Sequence, residues 1–269
     1  MELSTDKILS FLPKNHPWSN TIICVDTIDS TNTHAKDLAS HGAPHGTVLI
    51  ANHQTGGRGR MGRRFHSPAG TGIYLSVILR PDCAPGELMH LTCAAGAAMC
   101  RAVEAVTGFS PGIKWINDLV SQGKKLGGIL AELTIDPATG KTAYAIVGIG
   151  INCSQKSGDF PPEIADIATS LSAVTGKFVD RNRLAAAMIA ALHSMGEELL
   201  VKKAAIMDFY RSHCVTLGKD VSVHRFDEVR HGTAIDIDED GGLIVTFSDG
   251  SRSTVNAGEV SIRGMYGYT

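Results

Sequence analysis

Arginine and glycine alternate in one short stretch of this chain. Residues 54–65 read QTGGRGRMGRRF and contain four arginines and four glycines. Glycine lets a backbone approach a ligand closely, and each arginine offers a forked set of donors to a phosphate or carboxylate. The stretch therefore predicts an anion-binding loop that becomes ordered when its ligand arrives. Taken alone, it is also consistent with a solvated basic loop or a nucleic-acid contact.

Three glycines of this loop, Gly57, Gly59 and Gly62, satisfy the spacing of the dinucleotide-binding fingerprint. The context excludes a nicotinamide enzyme, because the segment after the glycines leads through Ser67-Pro68 into a strand and not into a helix. A Walker loop is excluded because no Gly-Lys-Ser/Thr follows at the required spacing. The loop therefore needs partners elsewhere in the chain to define its anion.

A lysine and an aspartate fall at the ends of two neighbouring predicted strands. Asp118 follows Lys114, Trp115 and Asn117 in the segment KWIND, and Lys125 begins the segment KLGGIL. A lysine can neutralise an anionic substrate oxygen, and an aspartate can hold Mg²⁺ that bridges nucleotide phosphates. The two segments predict a site for a phosphorylated substrate, although each could also serve the fold alone.

Small and amide side chains continue this pattern. Gly127 and Gly128 would leave room for a flat ligand beside their strand. Asn152 ends the segment GIGIN with an amide that could read the edge of a base. Both features are also common at purely structural positions.

The elements that must position these residues are a series of strands and helices. Apolar and β-branched runs predict strands at residues 21–26, 47–53, 72–80, 112–117, 126–134 and 143–152. Ser30 and Thr31 offer capping hydroxyls for a helix to about residue 40, and further helices are predicted over 87–107, 181–201 and 204–213. This part of the chain is expected to form an α+β domain.

The pattern changes after Cys214. Short apolar-polar alternations at residues 220–224, 233–238, 243–247 and 260–263 are separated by the turn sequences DEDGG and SDG. They predict a small antiparallel barrel of about 50 residues. We place the domain boundary near residue 215.

The bulk composition limits the classes of function. Hydrophobic residues make up 43% of the 269 residues and charged residues 19%, which supports a sizeable core. The formal net charge of -2 argues against a protein that coats nucleic acid. Six cysteines without a C-x-x-C pair predict reduced thiols in a cytoplasmic protein. Neither a leader peptide nor an apolar run of about 18 residues indicates export or membrane insertion.

Taken together, these segments resemble the biotin protein ligases. The resemblance covers residues 29–32, 54–68, 114–118, 125–130, 148–152, 218–219, 236–242 and 258–263, so it extends over nearly the whole chain in order. It implies a catalytic domain over residues 1–214, with a mixed β-sheet and helices on one side as in class II aminoacyl-tRNA synthetases. It also implies an SH3-like β-barrel over residues 215–269.

The resemblance implies a reaction in two steps, with biotin and Mg-ATP as ligands and a biotin carboxyl carrier protein as partner. The biotin carboxylate attacks the α-phosphate of ATP to give biotinyl-5′-AMP and pyrophosphate, and a carrier lysine then displaces AMP. Many bacterial relatives carry an N-terminal DNA-binding domain. Only about 20 residues precede the first predicted strand here, so we expect an enzyme that does not bind DNA. The sequence leaves the oligomeric state open, a homodimer included.

The resemblance also assigns roles to individual residues. It places biotin against Ser30, Thr31, Asn32, Gln54, Arg58, Gly59, Arg60, Lys125, Gly127 and Gly128. It places the nucleotide against Arg58, Arg60, Arg63, Phe65, Lys114, Trp115, Asn117 and Asn152. Lys125, Arg60 and Asp118 are the implied catalytic residues, and Asp118 is also the implied Mg²⁺ ligand.

Two residues depart from the pattern of the family, and two other functions remain open. Phe65 stands where the family usually has tryptophan, which retains an apolar face without an indole N–H, and Ile116 stands where proline is common. A lipoate or octanoate ligase shares the catalytic fold, although such relatives lack the small barrel. A non-catalytic biotin or nucleotide sensor is the other alternative, against which Lys125 and Asp118 argue.

Overall fold

A seven-stranded sheet carries the larger part of the chain, which a computed structural model describes over residues 2–225, 228–256 and 259–262. Its strands are β1 (Ile22–Ile28), β2 (Val48–Gln54), β3 (Gly72–Leu79), β4 (Gly112–Lys114), β5 (Asp118–Ser121), β6 (Lys124–Ile135) and β7 (Thr142–Asn152). They follow the order β1-β2-β3-β7-β6-β5-β4, in which β1 and β2 are parallel and the other neighbours are antiparallel. The predicted α+β fold with a mixed sheet is confirmed.

Helices lie on both faces of this sheet. They are α1 (Thr5–Phe11), α2 (Thr31–Ser40), α3 (Leu91–Thr107), α4 (Leu171–Thr175), α5 (Arg181–Glu198) and α6 (Lys203–His213). Because successive strand residues point to opposite faces, Ile73 and Leu75 join α3, α5 and α6 in the main core. Ile78 points the other way, toward Ala35 and Ala39 of α2. The expectation that all helices lie on one side is therefore wrong, because α2 packs against the other face. The sheet beside the N-terminus of α2 is open for a ligand.

Most predicted elements of this part are present, with shifted ends. The strand predicted over residues 112–117 ends at Lys114, because the Trp115 N–H donates to Thr216 Oγ1 (2.9 Å) and not to a neighbouring strand. The helix predicted from residue 87 begins at Leu91, after a 3₁₀ turn over Pro85–Leu88. The short elements α1, α4 and β5 were not predicted, since four to seven residues give too little periodicity to detect.

The C-terminal part forms a second, smaller sheet. Its strands are β8 (Asp220–Arg225), β9 (Glu228–Ile237), β10 (Leu243–Phe247), β11 (Arg252–Val255) and β12 (Glu259–Ile262), in the antiparallel order β11-β10-β9-β8-β12. The predicted SH3-like barrel is wrong in its closure, because no pairing within the described part joins β11 to β12. Alternation identifies the inner face of a strand but not the partners of the two edge strands. Gly258 and Arg263 lie outside the described residues.

Several contacts connect the smaller sheet to the larger part of the chain. The Trp115 indole N–H donates to the Gly241 carbonyl (2.8 Å), and the Arg211 Nε–H donates to the Ile237 carbonyl (2.8 Å). Lys203 forms an ion pair with Asp240. The turn after β9 is thereby fixed against Trp115. A domain boundary near residue 215 stays a prediction.

Gly241 gives a stability test of this junction. Its φ of +88° is left-handed, and a methyl group there would lie 2.8 Å from the buried Cys93 Sγ. Gly241→Ala should therefore lower the free energy of unfolding by about 2–4 kcal/mol, from backbone strain and overpacking together. Gly250→Ala is the matched control, since its φ is +82° but no atom lies within 4 Å. If urea denaturation showed the same loss of unfolding free energy in both variants, the close approach of residue 241 to Cys93 would be contradicted.

Among the described residues, no helix combines the length and the apolar character needed to span a bilayer.

Candidate active site

A cleft of about 1020 Å³, including its open mouth, lies on the open face of the larger sheet beside the N-terminus of α2. Its lining includes most of the predicted site residues: Ser30, Thr31, Asn32, Gln54, Arg58, Gly59, Arg60, Arg63, Phe65, Lys114, Trp115, Asn117, Asp118, Lys125 and Gly128. The cleft is therefore the place where the structure brings most of the predicted binding residues together.

Glycines make the floor of the cleft. In the sheet register, Gly148 of β7 lies between Ser76 of β3 and Leu130 of β6, and Gly150 lies between Tyr74 and Gly128 in the next row. A side chain at Gly148 would overlap the Asn32 amide, and one at Gly150 would overlap the Phe65 ring. Both positions therefore have to be glycine if Asn32 and Phe65 are to occupy their places in the walls of the cleft.

Uncharged polar groups form one end of the cleft, at the N-terminus of α2. Ser30 caps the helix, and the backbone N–H and hydroxyl of Thr31 contact Gln54 Oε1 at 2.8 and 3.0 Å. Ser76 Oγ lies 2.8 Å from Thr31 Oγ1 and 2.7 Å from Asn32 Oδ1. Ser30, Thr31 and Asn32 are each at most 4% exposed. This end presents fixed donors and acceptors without charge, which suits a neutral polar head group.

The arginine-glycine loop is a small hairpin over the cleft. The Gly59 N–H donates to the Arg63 carbonyl (2.7 Å) and the Phe65 N–H to the Gly57 carbonyl (2.9 Å). The hairpin turns at Gly62, whose φ is +73°. The loop thus has backbone hydrogen bonds of its own, which hold its arginines at defined positions.

Two arginines of the loop reach opposite sides of the cleft. Both terminal nitrogens of Arg58 donate to the Glu132 carboxylate at 3.1 Å. Arg60 Nη1 donates to Asn117 Oδ1 (3.1 Å), and the Asn117 amide in turn donates to the Ile129 carbonyl (3.0 Å). The loop is therefore fastened to β6 on one side and to the turn before β5 on the other.

An ion pair occupies the far end of the cleft. Lys125 Nζ lies 2.6 Å from Asp118 Oδ1, and the two side chains are 32% and 16% exposed. The register of β5 and β6 places Asp118 opposite Gly128, where a methyl group would lie 3.3 Å from Lys125 Nζ. A cation and a carboxylate thus stand together at one end, with the uncharged network at the other. Such a site can hold a ligand that has a neutral head and an anionic tail.

Comparison with known proteins identifies the family. The model of the biotin/lipoate A/B protein ligase family matches residues 24–152, and that of the biotin protein ligase C-terminal domain matches residues 216–263. The bifunctional ligase/repressor BirA of Bacillus spizizenii is 35% identical over 245 residues, which are 91% of this chain and 75% of that protein. The chain belongs to the biotin protein ligase family.

Two further similarities agree with this membership. The biotin–[acetyl-CoA-carboxylase] ligase of Mycobacterium tuberculosis is 35% identical over 251 residues, which are 90% of this chain and 89% of that protein. The structure of the Aquifex aeolicus biotin protein ligase in complex with biotin and ATP is similar with a TM-score of 0.74 and 31% identity, and covers 90% of this chain and 98% of that one. The predicted resemblance to biotin protein ligases is confirmed.

Phe65, one of the two residues expected from the sequence to depart from the family pattern, packs inside the site. Its ring lies on Gly150 and meets the Tyr74 ring edge-on, with the centroids 6.4 Å apart. The Tyr74 hydroxyl donates to the Pro68 carbonyl (2.9 Å), and burial raises the pKa of this phenol. Phe65 therefore offers the cleft an apolar wall that a buried, neutral tyrosine supports.

Two predicted site residues of this ligase-family chain do not line the cleft. Gly127 is not part of the lining, and a methyl group there would lie 2.5 Å from the Gly150 carbonyl oxygen and 3.4 Å from the Ile151 Cα. Asn152 is 5% exposed, and its amide donates to the Thr169 carbonyl (2.9 Å). The contacts of Gly127 with biotin and of Asn152 with adenine therefore remain predictions.

Sequence reasoning missed Glu132 altogether. The alternation of β6 could have indicated it, because Gly128, Leu130 and Glu132 have to lie on the same face of the strand. The contact of Glu132 with Arg58 joins residues 74 positions apart, so no local pattern contains it.

Proposed function

We propose that this protein activates biotin with ATP as biotinyl-5′-AMP and transfers the biotinyl group to a lysine of a biotin carboxyl carrier protein. The observation that carries the proposal is a cleft with an uncharged hydrogen-bonding end at α2 and the Lys125–Asp118 pair at the other. Biotin has this polarity, with a neutral ureido ring at one end and a carboxylate at the other. The Aquifex aeolicus relative, which holds biotin and ATP in its structure, supports it.

In the first step, the α2 end binds the ureido ring and Lys125 meets the carboxylate. Ser30, Asn32 and Gln54 supply the donors and acceptors that an uncharged ring needs. A carboxylate oxygen attacks the α-phosphorus of ATP, and pyrophosphate leaves. The ammonium group of Lys125 stabilises the negative charge that grows on the oxygens of the phosphorus.

In the second step, the loop retains the mixed anhydride until an acceptor lysine arrives. The lysine amine attacks the acyl carbon and loses a proton, and AMP leaves with the electrons of the broken C–O bond. Arg60 closes the loop side of the cleft through Asn117, and we assign to Asp118, which lines the cleft, the role of accepting the proton. Arg63, Phe65, Lys114 and Trp115 form the remaining wall, against which we place the nucleotide.

The residues of the cleft fit a Mg²⁺ ion that arrives with the nucleotide. Within the described part of the chain, no group of three or more His, Cys, Asp or Glu side chains could hold a metal. Mg²⁺ commonly needs only one or two carboxylates, because phosphates and waters complete its shell. Asp118 would supply that carboxylate, and the bound ion would neutralise charge on the phosphates.

A lipoate or octanoate ligase is the alternative within the same fold. The match of residues 216–263 to the C-terminal domain of biotin protein ligases favours biotin. The Lys125–Asp118 pair in the cleft argues against the interpretation of the protein as a sensor without catalytic activity.

The decisive experiment incubates the protein with ATP, Mg²⁺ and a biotin-accepting carrier domain, together with biotin, lipoate or octanoate in separate reactions. Mass spectrometry should find the carrier heavier by one biotinyl group in the biotin reaction alone. Labelling only by lipoate or octanoate would establish the alternative. An unchanged carrier in all three reactions would refute the ligase proposal.

A cytoplasmic location is part of the same proposal. All six cysteines are free, and five of them are buried. Burial raises the pKa of the Cys93, Cys100 and Cys153 thiols to about 12, which keeps them protonated and unreactive. These thiols suit a reducing compartment.

Replacement of Arg60 tests the retaining role of the loop. Arg60→Ala removes the donor to Asn117 Oδ1, so biotinyl-5′-AMP should escape about tenfold faster when no carrier is present. Release can be followed by trapping free adenylate after rapid filtration. Arg252→Ala, which removes an exposed arginine of β11, is the control. If the Arg60 variant retains the intermediate as long as the parent does, Arg60 does not hold the loop closed.

A further inference from the structure

Glu132 is the charged group that the loop and the α2 end of the cleft share. Its Oε2 accepts from Arg58 Nη1 (3.1 Å) and from Asn32 Nδ2 (3.0 Å), and its Oε1 accepts from Arg58 Nη2 (3.1 Å). Its side chain is only 24% exposed, and the Asn32 residue is 4% exposed. A bidentate arginine pair with a third, buried donor fixes the directions of all three side chains.

The contacts of Glu132 continue into the uncharged end of the cleft. Asn32 Oδ1 lies 2.7 Å from Ser76 Oγ, which lies 2.8 Å from Thr31 Oγ1, and Thr31 in turn contacts Gln54. A chain of hydrogen bonds therefore runs from Arg58 of the loop through Glu132 to the groups that face the head of the ligand. The carboxylate is therefore in contact with both the loop and this set of groups.

Glu132 lies far from the reacting end of the cleft. It follows Gly128 by four residues on β6, which is about 13 Å of extended strand, and Gly128 lies opposite Asp118 in the register of β5 and β6. Glu132 therefore cannot touch the reacting atoms. An effect on the reaction would have to act through Arg58 and Asn32.

We propose that Glu132 is a positioning residue that couples recognition of the biotin head to closure of the arginine-glycine loop. The inference rests on the proposed ligase function. The Glu132 carboxylate orients the Asn32 amide for the ligand and holds Arg58 over the cleft. All three of its contacts come from donors, so an acceptor with two free oxygens is required at this position.

Glu132→Gln tests the coupling with little change in shape. The amide group places an NH₂ donor where a carboxylate oxygen accepted, so at least one contact with Arg58 becomes donor against donor in either orientation of the amide. We expect the KM for biotin to rise about tenfold and biotinyl-5′-AMP to escape about tenfold faster. The kcat at saturating biotin should change less than about twofold, because the reacting end is untouched.

A double-mutant cycle with Arg58→Ala separates positioning from general damage. If Glu132 retains the intermediate through Arg58, Glu132→Gln adds nothing to the release rate once Arg58 is alanine. Asp82→Asn is the matched control, because it removes the carboxylate of a remote ion pair (Lys141 Nζ to Asp82 Oδ1, 2.7 Å) and should leave both readouts unchanged.

Two results would overturn the inference: an unchanged KM for biotin in Glu132→Gln, or release rates that multiply independently in the double variant. A parent protein that labels no carrier would instead refute the proposed function. The two failures are therefore distinguishable in one set of measurements.

Discussion

Lys125→Ala is expected to lower the rate of biotinyl-5′-AMP formation by about 100- to 1,000-fold, the usual cost of removing one group that stabilises transition-state charge. Lys125 is the cation paired with Asp118 at the end of the cleft, with Nζ and Oδ1 2.6 Å apart. Without it, the Asp118 carboxylate would face the anionic carboxylate and phosphates of the substrates uncompensated. Both the lost attraction and the new repulsion oppose the same step.

Pyrophosphate release measured under single-turnover conditions checks this expectation, because it reports the first step without a carrier. The neighbouring Lys124→Ala provides a control of equal charge change, since Lys124 is exposed and lies outside the cleft lining. A parent-like rate in Lys125→Ala would remove Lys125 from the reaction. A slow rate in both variants would point to the net charge of the segment and not to one ammonium group.

The parts of the site that could be predicted are those that short segments determine. A hydroxyl at a helix start caps its own backbone, so Ser30 was placed correctly from a few neighbouring residues. The glycine-rich hairpin and the strand that leads into it are likewise local. Asp118 and Lys125 meet in the cleft because an antiparallel register aligns β5 with β6.

What could not be predicted depends on distant contacts. Ser76 lies in a strand that reads as pure core, yet its hydroxyl joins Thr31 to Asn32 across 44 to 45 positions. Asn152 ends its strand as expected, but Thr169 takes its amide. The prediction of a closed C-terminal barrel was wrong for the same reason, because the alternation of residues within an edge strand does not indicate which strand it pairs with.

Gly148→Ala should raise the KM for biotin about 100-fold, an effect that strand propensity alone would never suggest. A methyl group at residue 148 would lie 2.6 Å from Asn32 Cγ, so the Asn32 side chain would have to move into the cleft. Asn32 would then lose its contacts with Leu130, Glu132 and Ser76. A displaced Asn32 would occupy part of the space for the biotin head and would no longer be held in the orientation that binds it. A 100-fold rise in KM corresponds to about 3 kcal/mol of binding free energy, since about 1.4 kcal/mol is a factor of ten.

Steady-state kinetics with varied biotin would measure this shift, and Gly158→Ala controls for the substitution itself because no atom lies within 4 Å of a methyl group there. Asn32→Ala supplies the sharper comparison. It removes the amide that the new methyl group would strike, so Gly148→Ala should add little to the KM in that background. If Gly148→Ala raises the KM equally with and without the Asn32 side chain, the effect comes from a distorted sheet and not from the wall of the biotin site.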